Sequence, residues 1–111
     1  MNYSKTAHEA ERKRLRQLQR EIVIDWASLA RESMAAFARD TGRILYSTQG
    51  RRLRVLDGGK LHPLTHLENC GLWTIVRDGL ERRGCKLSCK IIRAGLKAIS
   101  LMAPMPGEVA R

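Results

Sequence analysis

Apolar positions recur at steps of three and four over the first third of the chain. Ile22, Trp26, Leu29, Ala30, Met34 and Phe37 form one stripe, the mark of a helix with one face on a core. Leu15 and Leu18, with Ala7 and Ala10 before them, extend the same line toward the N-terminus. Thr6 and Glu9 have capping-box spacing. Asp40-Thr41-Gly42 offers a left-handed stop. No Pro or Gly intervenes, so the pattern predicts one helix over 6–40, a rod of roughly 50 Å. A rod that long overhangs its own core or meets a partner.

The period then changes to two. Residues 43–48 are β-rich, Gln49-Gly50 is a turn signal, and Leu53 and Val55 alternate with Arg52 and Arg54. Asp57-Gly58-Gly59 suits a tight hairpin, and Pro63 stops a short third strand begun at Lys60. Thr65 and Glu68 repeat the capping-box spacing and open a second helix carrying Leu72, Trp73, Val76 and Leu80. Gly84 ends it. Ser88 caps a third helix with Ile91, Ile92, Leu96 and Ile99 inward, stopped by Pro104 and Pro106. The expected architecture is α+β: a long N-terminal helix, a small antiparallel β-meander, then two C-terminal helices. Residues 1–5 are expected to be disordered, 6–103 to form one domain with an overhanging basic helix, and 104–111 to be a flexible tail.

At 111 residues, with 43% hydrophobic and 29% charged positions, the chain is long enough for a small core and too apolar to be disordered. The net charge of +10 changes the picture more. Such an excess attracts polyanions, nucleic acid before anionic membrane. Fifteen of the 21 cations are Arg, which forks onto phosphate oxygens and guanine edges; a GC-rich genome would produce the same bias. Five aromatics are too few for a single-strand stacking surface. No apolar run approaches a membrane span and no secretory core opens the chain, so membrane partners are not expected. Three cysteines fit free thiols in the cytoplasm.

Three groups of cations are candidate contacts. Lys86, Lys90, Arg93 and Lys97 follow steps of four, three and four, opposite the isoleucines and with no acid among them. Like charges at that spacing repel on a helix, and bound phosphate would offset the cost. Arg51, Arg52 and Arg54 sit on a ribbon of the kind that enters a major groove, or merely protect a strand edge from aggregation. Arg12, Lys13, Arg16 and Arg20 lie on the first helix, where Lys5 and Arg14 bring the local balance to six cations against Glu9 and Glu11. They form either a solvated helix end or an arm along phosphates. Leu15, Leu18 and Ile22 would make a short seam if the helix paired with a second copy.

A helix-turn-helix does not fit, because Lys90 and Arg93 fall where its second helix would bury apolar groups. A winged helix would place the hairpin after the last helix. His62-x3-His66-x3-Cys70 and Cys85-x3-Cys89 are zinc-type residues at the wrong spacing for a knuckle, so neither metal nor cofactor is expected. Cys89 beside Lys90 is an ordinary thiol, and no phosphate loop, nucleophile elbow or carboxylate pair suggests catalysis. The sequence therefore predicts a small basic, non-enzymatic nucleic-acid-binding protein of a bacterium, phage or plasmid. Duplex DNA is favoured over RNA, and a homodimer through the long helix is a possible assembly. The rival is a protein-binding module, such as a phage inhibitor seated on a host nucleoprotein complex in the manner of anti-CRISPR proteins.

Overall fold

The apolar stripe of the first third does not run through one helix. The computed structural model describes residues 7–13 and 23–107. Helix α1 covers 7–13 and α2 spans Trp26–Thr41, but Val23, Ile24 and Asp25 between them are not helical. Asp25 caps α2, its carboxylate accepting the Ser28 N–H at 3.0 Å. The expected rod over 6–40 is thus corrected to two helices, and α2, with 16 residues, is about 24 Å long. The cause is local. Ile22, Val23 and Ile24 are three β-branched residues in a row, stiff at χ1 and costly in a helix. The Asp that follows offers the backbone a cap in place of another turn. Thr6, Leu15, Leu18, Ile22, Lys5 and Arg14 lie outside the described residues, and with them the proposed cap and pairing seam.

Helix α2 ends where the sequence predicts. Gly42 adopts φ 71° and its N–H reaches the Ala38 carbonyl at 2.8 Å. A three-stranded antiparallel sheet follows in the order β1 (Leu45–Ser47), β2 (Leu53–Asp57), β3 (Lys60–Pro63). Asp57 pairs with Lys60 across Gly58 and Gly59, at φ 61° and 78°. That is a two-residue turn whose centre needs left-handed backbone twice, which two glycines supply without strain. The register sets Leu45, Ser47, Leu53 and Val55 on one face, toward the core, and Tyr46 and Arg54 on the other. At the edge of β1 the Ser47 N–H donates to the Pro104 carbonyl at 2.9 Å, and Ala103 before it is buried.

Helix α3 (His66–Arg82) starts on the expected capping box, Thr65 and Glu68 each bonding the other's backbone N–H. Helix α4 (Cys89–Met102) starts on Ser88, which accepts the Ile91 N–H at 3.2 Å. Helices α2, α3 and α4 pack against one another, and α2 and α4 also cover β1. Leu29, Phe37, Leu45, Val55, Leu72, Val76, Leu80, Ile92 and Ile99 make the shared core. Two glycines set how closely the helices meet. A Cβ on Gly79 would lie 2.7 Å from Leu29 Cδ1, and one on Gly95 would lie 2.5 Å from Val76 Cγ1 and 3.5 Å from Leu29 Cδ2. Leu29, fully buried, therefore sits in a notch that both glycines create. Among the described residues no helix is long and apolar enough to cross a membrane.

Candidate nucleic-acid interface

Helix α4 owes its orientation to its apolar side. Ile92, Gly95, Ala98 and Ile99 are buried, which turns the opposite side to solvent. Lys90, Arg93 and Lys97 are all exposed there, about a turn apart and rising over roughly 10 Å. Lys86 is exposed as well but precedes the Ser88 cap, so it stands at the lead-in to α4 and is not on the helix face its spacing suggested. None of the four makes an ion pair with a described residue. No acid occurs in the sequence between Glu81 and Glu108. The two like-charged neighbours on α4, Lys90–Arg93 and Arg93–Lys97, each cost roughly 0.2–0.5 kcal/mol.

Four of the described acids are engaged elsewhere. Glu32 on α2 receives Arg82 and Arg83 from the end of α3, the Arg83 bond measuring 2.8 Å. Arg83 also donates to the Gly79 carbonyl at 2.9 Å. Hydrogen bonds from Arg83 and then Arg82 hold the Glu32 carboxyl below its ordinary range, against some opposing desolvation. Arg43 bridges Asp57 at 2.7 Å and Glu68 at 3.3 Å. Burial pushes the Glu68 carboxyl up, but the Thr65 bonds together with Arg43 more than offset this and leave it lowered. Arg77 pairs with Asp78. Arg43, Arg82 and Arg83 thus tie elements together, whereas Lys90, Arg93 and Lys97 face water with no described acid as partner. Pattern reading along the chain missed that division, since Glu32 lies 50 and 51 residues from its two arginines.

The second group is at the hairpin. Arg51 and Arg52 are exposed in the turn between β1 and β2, and Arg54 is half-buried on the outer face between Tyr46 and Pro63. None of the three is in an ion pair with a described residue. Of the third group, Arg12 and Lys13 are exposed on α1, whereas Arg16 and Arg20 lie outside the described residues. The zinc-type residues include one close pair, Cys70 Sγ and His66 Nε2 at 3.6 Å on the exposed start of α3. Among the described residues no group of three or more His, Cys, Asp or Glu could hold a metal ion.

The chain matches no protein-family model, and comparison with curated proteins and with solved structures gives no significant match. The chemistry available on α4 is electrostatic. Lys offers a mobile ammonium and Arg a planar fork, both suited to phosphate oxygens. The exposed side has no Asn or Gln with which to read adenine.

Proposed function

We propose that this protein is a non-enzymatic duplex-DNA-binding protein that lays the exposed side of α4 along the phosphate backbone. One observation carries the reading: Lys90, Arg93 and Lys97 share a solvent-facing side on which no described acid neutralises them, and Lys86 is exposed at the lead-in. Repulsion on that side is tolerated when counter-charge is bound, and a polyphosphate backbone supplies it in a repeating array. Contacts of this type position a protein on the duplex without selecting sequence. Arg51, Arg52, Arg54, Arg12 and Lys13 add to the positive field that draws the polyanion in.

The test is fluorescence anisotropy with a short labelled duplex over a series of salt concentrations. Each phosphate contact contributes a log–log slope of about −0.9. The triple variant Lys90→Gln/Arg93→Gln/Lys97→Gln should therefore flatten the slope by about 2.7 if each side chain meets one phosphate. A wild-type affinity that is flat in salt, or a triple variant with an unchanged slope, would refute the proposal. Tighter binding of RNA than of duplex DNA would reassign the partner.

A further inference from the structure

The turn between β1 and β2 carries a side chain that its backbone does not favour. Arg51 adopts φ 60°, the one non-glycine in the left-handed region among the described residues. There the Cβ of an L-residue crowds its own carbonyl. The conformation is imposed by the turn. The Arg51 N–H donates to the Thr48 carbonyl at 2.8 Å, the Thr48 N–H donates to the Arg52 carbonyl at 2.9 Å, and Gly50 before them is at φ 87°. Gly, Asn or Asp would occupy position 51 with less strain. The next hairpin turn, at the opposite end of β2, meets the same demand with Gly58 and Gly59. Position 51 instead bears a long exposed cation, next to another at Arg52, and neither has an ion-pair partner among the described residues.

The strand that leads into this turn, β1, meets the chain just past the C-terminal end of α4. The Ser47 N–H donates to the Pro104 carbonyl, two residues past Met102, and Ser47 pairs across the ladder with Leu53, so that residues 48–52 between them form the turn. Lys97 stands about 7.5 Å of helix before Met102. The axis of α4 thus runs from Lys90 toward the end of β1 from which the turn departs.

We propose that the Arg51–Arg52 turn is a second phosphate grip, holding the same DNA backbone as α4 at a separate point. This rests on the α4 reading above. The occupant is a phosphate of the duplex: a guanidinium forks onto two phosphate oxygens, and no acid stands in the turn to compete.

The experiment compares Arg51→Asn, Arg51→Lys and Lys60→Gln with wild type, in the duplex titration and in thermal unfolding. Asn is at ease in left-handed backbone, so Arg51→Asn should hold or raise Tm while flattening the salt slope by about 0.9 and weakening low-salt affinity several-fold. Arg51→Lys should keep the slope. Lys60→Gln removes the same charge from the opposite end of the sheet and should leave the slope unchanged. The inference is overturned if Arg51→Asn leaves the slope unaltered, if Lys60→Gln matches its loss, or if Arg51→Asn lowers Tm. A wild-type protein with no salt-dependent duplex binding fails the α4 reading, and this inference with it. Loss of binding in the α4 triple variant but not in Arg51→Asn fails the second grip alone. A response with RNA and none with duplex DNA rejects DNA as the occupant.

Discussion

Two glycines in helix interiors should respond in opposite directions to the same substitution. Gly71 in α3 and Gly95 in α4 each forgo roughly 0.8–1.0 kcal/mol of helix propensity relative to Ala. Gly71 is exposed, and a Cβ there meets no atom of the described residues within 4 Å. Gly71→Ala should thus stabilise by about that amount. At Gly95 the new methyl would stand 2.5 Å from Val76 Cγ1, with Leu29 Cδ2 at 3.5 Å and Trp26 Cζ3 at 3.8 Å on its other sides. Carbon atoms rest at roughly 3.5–4.0 Å, so the contact has to open by about 1 Å. Val76 is β-branched and fully buried, and Leu29 is wedged against both α3 and α4. Neither helix can withdraw without disturbing the others, and overpacking of that kind costs about 1–3 kcal/mol. After the propensity gain, Gly95→Ala should come out destabilised by up to about 2 kcal/mol. The two variants should differ by about 1–3 kcal/mol, on the order of 10 °C in Tm for a domain of this size. Thermal and urea unfolding followed by circular dichroism measure this. Adding Val76→Ala should cost less in the Gly95→Ala background than in wild type, because it removes the atom that clashes. Gly95→Ala as stable as Gly71→Ala would refute the close helix contact.

Three further changes probe other parts of the fold. The Ser47 hydroxyl is buried without a hydrogen-bond partner among the described residues, so Ser47→Ala should be neutral or stabilise by up to about 1 kcal/mol; a loss of stability in urea unfolding would mean the hydroxyl is satisfied. Asp25→Ala removes the α2 cap and should cost about 1 kcal/mol, with an unchanged midpoint arguing that α2 does not depend on it. Glu32 has a lowered folded pKa, so its contribution is fully present above the ordinary glutamate value of about 4.5 and fades as pH falls through the lower folded value. Unfolding midpoints should drop on acidification below about pH 4.5, and Glu32→Gln should shrink that drop while weakening the protein near neutrality; an identical acid profile in the variant would rule out the Arg82–Arg83 pairing as its source.

The elements that could be read along the chain are those made by neighbours within about four residues. Gly42, Gly58, Gly59, Thr65 with Glu68, and Ser88 all do in the fold what their local chemistry predicts. Of the inward positions that periodicity predicts on α3 and α4, Leu72, Val76, Leu80, Ile92 and Ile99 are buried, whereas Trp73, Ile91 and Leu96 are half-buried at the margin of the core. The break before Trp26 was also local, written in Ile22-Val23-Ile24-Asp25, but a continuous apolar stripe concealed it, since periodicity survives a short non-helical link. Tertiary structure alone decided the rest. Gly79 and Gly95 matter because Leu29, from another helix, comes to lie against them. Glu32 selects Arg82 and Arg83 across α2 and α3, while the cations of α4 and of the Arg51 turn have no ion-pair partner among the described residues. Charge content is a property of composition, whereas which charges remain unneutralised depends on contacts between segments far apart in the chain, and only packing determines those.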